Sequence, residues 1–223
     1  MFSIAIVEDH PVFKEALKQL LSRVTERISV TESSSFDELK RHLEANPRTD
    51  LILLDLSIPG AEGMSALAFV RYHYPETRVA VISGHEDAGT VRKAIDLGAH
   101  SYIPKSLALE PLLAALQTVV EGGSYRPKFD PSNVPPDAQE RLAQKVTALT
   151  PQKRRILYGL AEGKLNKQIG YDLGLSEGTV KNHVTAILRH LGMRRRTEVV
   201  AAMQQLLAAE NESFDADQGH TAA

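Results

Sequence analysis

The chain has 223 residues, 43% hydrophobic and 24% charged, a composition typical of an ordinary globular protein with one or two domains. It contains no cysteine, which excludes disulfides and thiolate metal sites and agrees with a reducing cytoplasm. Its apolar runs fall short of the roughly 20 residues that span a bilayer, and MFSIAIVEDH lacks a basic signal-peptide region, so we expect a cytoplasmic protein without membrane association.

Apolar runs and segments with helical spacing alternate along residues 1–121. Strands are predicted at Phe2–Val7, Ile28–Thr31, Leu51–Leu56, Arg78–Ser83 and Ser101–Ile103. Helical segments follow each of them, the last two closing on glycines. This alternation predicts right-handed βαβ units, and therefore an α/β domain with a doubly wound, five-stranded parallel sheet.

The remainder of the chain divides into three parts. Residues 122–143 begin with GGSYRPKFDPSNVPP, whose prolines and lack of apolar periodicity predict a linker. Helical periodicity returns over residues 144–208 and predicts an all-α domain. Residues 209–223 are polar and acidic, which is typical of a disordered tail.

Charge separates the two predicted domains. Residues 1–121 hold 12 Lys/Arg and 17 Asp/Glu, a net charge of −5, whereas residues 144–200 hold 11 and 4, a net charge of +7. Such a basic second domain indicates a polyanionic partner.

Polar side chains follow the predicted strands at their carboxyl ends, where parallel α/β sheets bind ligands. Glu8 and Asp9 follow the first strand, Asp55 the third, Ser83 the fourth and Lys105 the fifth. Clustered carboxylates repel unless a cation joins them, and an all-oxygen site suits Mg²⁺. Because aspartate can accept a phosphoryl group, we interpret Asp55 as a phosphoacceptor. Taken singly, each residue has a plainer interpretation as a turn, cap or loop residue.

This ordered set closely resembles the receiver domain of bacterial two-component response regulators. The resemblance covers about residues 1–121 and depends on the motifs VEDH, LLDLSIPGAEG, VISGH and GAHSYIPK. It implies a flavodoxin-like fold with Asp55 as the phosphoacceptor. It also implies an Mg²⁺ site formed by Glu8, Asp9, Asp55 and the backbone carbonyl of Ser57.

The same resemblance implies roles for the other residues at this edge. Ser83 and Lys105 would contact the phosphoryl group, and Tyr102 would be the aromatic side chain that changes rotamer. Ser57 and His85 match the variable positions that tune how long the phosphate lasts. A hydrolase with an Asp nucleophile is the competing class, but it requires a second Asp where this chain has Ser57.

The segment LNKQIGYDLGLSEGTVKNHVTAILRHLG predicts two helices joined by a tight turn. Gly174 ends the first helix, and Ser176 is a good N-cap for the second. At about 100° per residue the apolar residues of the second helix form one stripe, and Asn182 and Arg189 face away from it. Asn can pair with adenine and Arg with guanine in the major groove. A helical hairpin with a solvated polar face is the alternative.

Residues 149–200 resemble the LuxR-type DNA-binding domain that accompanies receivers in the NarL/FixJ family. The matching text is LTPQKRRIL, NKQIG, LSEGTVKNHVTAIL and RRRTEVV, and it implies a four-helix helix-turn-helix domain. Candidate DNA-binding residues, from the polar face, the local charge and the resemblance together, are Thr179, Lys181, Asn182, His183, Thr185, Arg189, Lys153 and Lys167. The resemblance also implies a dimer interface on the last helix, about Thr197–Leu207, through Ala201, Ala202, Leu206 and Leu207; packing within the chain is the alternative.

Several positions depart from the pattern of that family. Lys153 stands where Glu is usual, Leu165 replaces a usual Ser, Gly170 a usual Ala and Thr185 a frequent Lys. We therefore expect a DNA-binding domain that is less stable alone and has an atypical base preference.

Together these patterns predict a two-domain transcriptional regulator. A cognate histidine kinase or a small phosphodonor would phosphorylate Asp55 with Mg²⁺, and the protein would then bind paired DNA half-sites as a homodimer. Apart from its own phosphoryl transfer and dephosphorylation, it would not be an enzyme. The alternatives are the same architecture working without phosphorylation, and a receiver whose main output is protein binding.

Overall fold

The computed structural model of the protein describes residues 2–127 and 138–208. The elements of the described ranges are, in chain order, β1 (Phe2–Val7), α1 (Pro11–Val24), β2 (Ile28–Ser33), α2 (Phe36–Ala45), β3 (Leu51–Leu54), α3 (Ser65–His73), β4 (Arg78–Ser83), α4 (Ala88–Asp96), β5 (Ser101–Pro104), α5 (Leu109–Val120), α6 (Ala138–Thr147), α7 (Pro151–Ala161), α8 (Asn166–Leu173), α9 (Glu177–Leu191) and α10 (Arg196–Ala208).

The first domain is the predicted doubly wound α/β fold. Its five strands are all parallel and lie in the order β2-β1-β3-β4-β5, so the fold class predicted from the sequence is confirmed. Every residue of β3 is buried, as expected for a central strand covered on both faces. In the register Val7 lies opposite both Ser33 and Leu54, which brings the carboxyl ends of three strands to one edge.

Alternate residues of β1 face two separate apolar layers, because successive side chains of a strand point to opposite faces. Ile4 and Ile6 pack with α1 and α5 on one face of the sheet. Ala5 and Val7 belong to the layer formed with α2, α3 and α4 on the other face. The second layer continues into the helices of the C-terminal half, so one apolar core joins the two parts of the chain.

Helices α7 to α10 form the predicted four-helix domain. Thr150 caps α7 by accepting a hydrogen bond from the backbone N–H of Lys153, and Pro151 is the first helical residue, as the sequence predicts. Gly174 and Gly192 end α8 and α9 with φ values of +66° and +75°, a conformation that favours glycine. The tight α8–α9 turn of a helix-turn-helix is therefore present.

Helix α6 is a difference from the expected layout. It begins at Ala138, so the last six residues of the predicted linker 122–143 are helical, and the C-terminal part has a fifth helix. Glu140, Ala143 and Val146 are buried, because α6 packs against α4 of the receiver-like domain. The linker residues 128–137 and the predicted tail 209–223 lie outside the described residues. The division at residues 121, 143 and 208 remains a prediction.

The two domains pack directly on each other. Helix α3 contacts α7 and α10, and α4 contacts α6. In the described ranges, no helix is long and apolar enough to cross a membrane.

Candidate phosphoacceptor site and DNA-binding surface

The carboxyl edge of the sheet brings three predicted site residues into direct contact. Asp55 immediately follows β3, and Lys105 follows β5. The Lys105 ammonium lies 2.8 Å from Asp55 Oδ2 and 2.7 Å from Glu8 Oε2. Glu8 and Asp55 are only 1% and 2% exposed, so one lysine joins two buried carboxylates from neighbouring strands.

Burial dominates the electrostatics of this pair. Burial raises the pKa of Asp55 above its ordinary value of 3.8, and Lys105 only partly opposes this shift. Burial alone would lower the pKa of Lys105, but its hydrogen bonds to Asp55 and Glu8 raise it instead. Lys105 therefore stays charged, and a further positive charge beside Asp55 would favour its ionised form.

Four side chains could hold a cation at the same edge. Ligand atoms of Glu8, Asp9, His10 and Asp55 all lie within 4.8 Å of one another. His10 Nδ1 is 2.9 Å from Glu8 Oε1 and 2.9 Å from Asp9 Oδ1, although His10 also stands at the N-cap of α1. Among the described residues, the buried atoms Glu8 Oε2 and Asp9 Oδ1 lack a well-aligned hydrogen bond. This oxygen-rich group fits a hard divalent cation such as Mg²⁺.

The predicted metal-binding carbonyl belongs to Ser57, whose backbone N–H donates to Asp55 Oδ1 at 3.2 Å. This bond fixes one carboxylate oxygen of Asp55, and Lys105 fixes the other. The orientation of the carboxylate is therefore set before any ligand binds.

The predicted switch residues are joined through the loop between β4 and α4. The backbone N–H of His85 donates to Ser83 Oγ at 3.1 Å, and His85 Nδ1 lies 3.3 Å from the same oxygen. Tyr102 is fully buried on β5, and its hydroxyl donates to the His85 carbonyl at 2.6 Å. Ser83 and Tyr102 thus both contact His85, so a movement of either side chain would change the hydrogen bonds of this loop.

Helix α9 presents the predicted DNA-reading face. Its stripe of Val180, Val184, Ile187 and Leu191 is buried. The candidate residues Lys181, Asn182, Thr185 and Arg189 are exposed on the other side, whereas Thr179 and His183 are partly buried. Because α9 packs mainly on helices of its own domain, this polar face stays open to solvent.

The two threonine hydroxyl groups among the candidate residues on α9 already have local hydrogen-bond partners. Thr179 Oγ1 lies 2.8 Å from Ser176 Oγ, the N-cap oxygen, and Thr185 Oγ1 donates to the Lys181 carbonyl at 3.1 Å. Asn182 and Lys181 form no such local side-chain bond within the described chain, so their polar groups are free for a ligand. Of the other candidates, Lys167 is exposed on α8 and Lys153 is half-buried on α7.

The apolar patch expected on the last helix is only partly buried, since Ala201 is exposed and Ala202 and Leu207 are half-buried. Leu206 is fully buried together with Val199 and Met203, because α10 packs on α7. The Leu207 carbonyl accepts a hydrogen bond from the backbone N–H of Met64 in the first domain at 2.7 Å. Leu206 therefore packs within the chain in this arrangement, as the alternative interpretation expects, and the dimer interface on α10 remains a prediction.

The residues that join the two domains could not be identified from the sequence. The Tyr158 hydroxyl donates to the Leu97 carbonyl at 2.7 Å, and Arg92 forms an ion pair with Glu140 at 3.0 Å. Thr147 Oγ1 donates to the Asp96 carbonyl at 2.7 Å. No motif marks these residues, since each lies in an ordinary amphipathic helix and meets its partner only across the interface.

The fold and the site together define a class of protein: an α/β domain with an acidic, lysine-containing edge, followed by a helix-turn-helix domain. Residues 4–117 match the family described as "Response regulator receiver domain", and residues 147–203 match "Bacterial regulatory proteins, luxR family". The chain belongs to the response regulators that combine a receiver with a LuxR-type DNA-binding domain.

The similarity to two curated relatives extends over nearly the whole length of both chains. The chain is 31% identical over 207 residues to the glycerol metabolism activator of Pseudomonas putida, covering 90% of this chain and 94% of the relative. It is 32% identical over 211 residues to the nitrate/nitrite response regulator protein NarL of Escherichia coli K12, covering 91% and 95%.

Solved structures support the fold. A LuxR family DNA-binding response regulator from Silicibacter pomeroyi is similar over 57% of this chain and 98% of its own, with 29% identity and a TM-score of 0.51. RcsB from Salmonella enterica serovar Typhimurium, bound to promoter rprA with BeF₃⁻, covers 92% of this chain and 100% of its own at 20% identity and a TM-score of 0.52.

As a member of this family, the protein is a two-component response regulator, a DNA-binding transcriptional regulator under phosphorylation control.

Proposed function

We propose that phosphorylation of Asp55, with Mg²⁺ bound beside it, controls the assembly of this protein on DNA. The observation that carries the proposal is the position of Asp55, a buried carboxylate held between Lys105 and the Ser57 amide on an otherwise acidic edge. A carboxylate oxygen of Asp55 forms a bond to phosphorus while the bond from phosphorus to the leaving group of the donor breaks. A cognate histidine kinase or a small phosphodonor in the cytoplasm supplies the phosphoryl group.

Glu8, Asp9, Asp55 and the Ser57 carbonyl are the residues that would hold Mg²⁺. The ion supplies positive charge to the phosphoryl oxygens when it is bound. The raised pKa of Asp55 supports this assignment, because a second cation near the carboxylate favours its ionised, nucleophilic form. Lys105 contributes the other positive charge and contacts the phosphoryl group.

The loop between β4 and α4 transmits the conformational change from the phosphorylation site. When the Ser83 hydroxyl turns to the phosphoryl group, its contacts with His85 change. The hydrogen bond from the Tyr102 hydroxyl to the His85 carbonyl then breaks or forms again. The loop leads directly into α4, whose Arg92 and Asp96 contact α6. We infer that displacement of α4 weakens this contact and separates the two domains.

Contact between the two domains restrains the end of α10 but leaves the DNA-reading face of α9 open to solvent. The Leu207 carbonyl is bonded to the receiver, whereas Lys181, Asn182 and Arg189 are exposed. We therefore propose that separation frees α10, through Ala201 and Ala202 at its exposed side, to form a homodimer on paired half-sites. The base-reading residues are Asn182 and Arg189, and Lys181, His183 and Lys167 hold phosphates, with Thr179, Thr185 and Lys153 beside them.

The test treats the full-length protein with acetyl phosphate and Mg²⁺ and measures covalent labelling by intact-mass spectrometry. Asp55→Asn should abolish acid-labile labelling, whereas Asp37→Asn, a matched exposed carboxylate, should leave it unchanged. Gel shifts with genomic fragments should then show tighter DNA binding for the labelled protein. Full labelling of Asp55→Asn would sink the assignment, and labelling without any change in DNA binding would sink the control mechanism.

A further inference from the structure

A small cavity lies where the receiver meets the DNA-binding domain. It has a volume of about 210 Å³ and is lined by Arg71 and His100 of the receiver and by Arg154 and Arg155 of α7. None of the residues assigned to Mg²⁺ or to the phosphoryl group lines it. The volume is below the ~300–1,000 Å³ of typical pockets for drug-sized ligands, so an occupant would be small.

Three guanidinium groups converge on this cavity without a carboxylate partner. Arg71 donates to the carbonyls of Thr77 and Pro75, both at 2.7 Å, and Arg155 Nε donates to the Tyr72 carbonyl at 2.9 Å. Within residues 2–127 and 138–208, Arg154 forms no side-chain hydrogen bond, and none of the three arginines forms an ion pair. Backbone carbonyls therefore contact two of the three guanidinium groups, but no carboxylate neutralises their charge at ion-pair distance.

The surroundings make this concentration of charge costly. Burial lowers the pKa of Arg71, and the positive charge of Arg154 lowers it further, while Tyr158 and, from beyond ion-pair distance, Glu76 act in the opposite direction. Unpaired charges in a poorly solvated position destabilise a fold unless a counter-charge or hydrogen bonds compensate. A bound anion would provide both.

The other titratable side chains that line the cavity are His100 and Tyr158, and neither is a carboxylate. His100 Nδ1 accepts a hydrogen bond from the backbone N–H of Val79 at 3.1 Å, so its neutral ring carries the proton on Nε2. Pro151 also lines the cavity and begins α7, so the positive end of that helix faces the same space.

We propose that this cavity binds a small phosphate-type dianion, free or as the phosphate group of an ester. The anion bridges Arg71 of the receiver to Arg154 and Arg155 of α7. Because both sides of the interface contribute arginines, the bound anion stabilises the closed arrangement and opposes separation of the domains. The site is independent of Asp55 and would make the regulator responsive to phosphate or to a phosphorylated metabolite.

The experiment uses the full-length Asp55→Asn protein without Mg²⁺, so that the phosphoacceptor edge takes no part. Isothermal titration with sodium phosphate, at constant ionic strength set by chloride, measures the affinity. Arg154→Gln should weaken binding about tenfold or more, because a charge-assisted hydrogen bond is lost. Arg141→Gln is the matched control, an exposed arginine on α6 outside the cavity, and should change the affinity less than about twofold.

A second arm replaces phosphate by methyl phosphate. Equal affinity for the two ligands assigns the site to phosphate esters, and loss of methyl phosphate binding alone assigns it to free phosphate. Absence of one-to-one phosphate binding at millimolar concentration would overturn the proposal. So would an equal loss of affinity in Arg154→Gln and Arg141→Gln, or a loss caused instead by Lys181→Gln, which would place the anion on the DNA-binding surface.

Discussion

The hydroxyl of Tyr72 donates a hydrogen bond to Oδ2 of Asp172 at 3.0 Å, although the two residues are 100 positions apart in the chain. Tyr72 lies on α3 of the receiver and Asp172 on α8, the first helix of the helix-turn-helix. Lys164 completes the arrangement, with its ammonium 2.8 Å from the same carboxylate oxygen and 4.4 Å from the centre of the Tyr72 ring. One buried tyrosine thus connects the receiver to the DNA-binding domain.

Tyr72→Phe should favour separation of the domains while leaving each domain folded. The loss of one hydrogen bond costs about 0.5–1.5 kcal/mol, which shifts the ratio of closed to open protein by up to about tenfold. Lys164 still pairs with Asp172, so no carboxylate is left without a partner. Fluorescence anisotropy should show tighter DNA binding by the unphosphorylated variant. Tyr74→Phe is the control, and equal affinities for both variants and the wild type would contradict the prediction.

Gly159→Ala should also open the interface, for a steric reason. A Cβ at Gly159 would lie 3.0 Å from Cε2 and from the hydroxyl oxygen of Tyr72 and 3.1 Å from Ile169 Cγ1, all buried and unable to move freely. Glycine inside a helix ordinarily costs about 1 kcal/mol relative to alanine, so its presence in α7 suits this close approach. Small-angle scattering should show a larger radius of gyration, and Gly178→Ala, with no close neighbour, should leave it unchanged.

The closed arrangement should weaken in acid through Glu162, which lies 3.3 Å from His73 across the interface. Burial alone would raise the pKa of Glu162, but hydrogen bonds from His73 and Lys164 hold it below its ordinary value of 4.5. A carboxyl group with a lowered pKa in the folded state contributes stability above pH 4.5, and this contribution is lost as the pH falls through the lowered pKa.

Glu162→Gln should therefore flatten the fall of the melting temperature on acidification from about pH 5 to pH 3. The pair is partly exposed, so the effect should stay below about 1 kcal/mol. Glu110→Gln, an exposed carboxylate on α5, serves as the control. A variant that loses stability as steeply as the wild type would exclude a contribution from this pair.

Two neighbouring residues of α9 should affect DNA binding in different ways. Asn182→Ala should cost roughly 1–3 kcal/mol at a specific site and relax the preference at one base pair. Lys181→Ala should weaken binding to all sequences. It should also reduce, by about one unit, the slope of the logarithm of the binding constant against the logarithm of the salt concentration. Salt-titrated binding to a selected site and to random DNA separates the two effects. An equal loss on both DNAs for Asn182→Ala would refute a base-reading role.

The sheet and its acidic edge could be predicted because they follow from local patterns. The runs that form β1 and β3 are short and mostly apolar, as is typical of strands, and Asp55 directly follows the second of them. Parallel strands then bring Glu8, Asp55 and Lys105 to one edge whatever the loops do. The predicted end of the third strand was two residues late: β3 ends at Leu54, although the backbone N–H of Asp55 still donates to the Val7 carbonyl of β1 at 2.9 Å.

The interface between the domains could not be predicted in the same way. Glu140 and Arg92 are charged residues on helix surfaces, and charges there are usually solvated. Their low exposure follows only from the approach of α6 to α4, which also explains why residues 138–143, the first six of α6, were predicted as linker. Likewise, the apolar residues Leu206 and Leu207 on α10 suit a partner chain or packing within this chain equally, and only the three-dimensional arrangement distinguishes the two.

Lys153→Glu should stabilise the DNA-binding domain and weaken its attraction to DNA. Thr150 Oγ1 accepts a hydrogen bond from the Lys153 amide at 3.4 Å, so half of a capping box is already present. A glutamate at position 153 could reach back to the cap and complete the box. It would also remove one of the three cations that oppose the helix dipole at the start of α7, each worth about 0.3–1 kcal/mol when exposed.

The same substitution lowers the positive charge beside Arg154 and Arg155, so DNA binding should weaken and depend less steeply on salt. Thermal unfolding and salt-titrated binding of the full-length variant measure the two effects separately, and Lys153→Gln distinguishes loss of the cation from gain of the cap. Higher stability with unchanged DNA affinity would restrict the effect of Lys153 to the helix. Lower stability would show that the lysine makes a contact in the folded protein that outweighs its unfavourable position on the dipole.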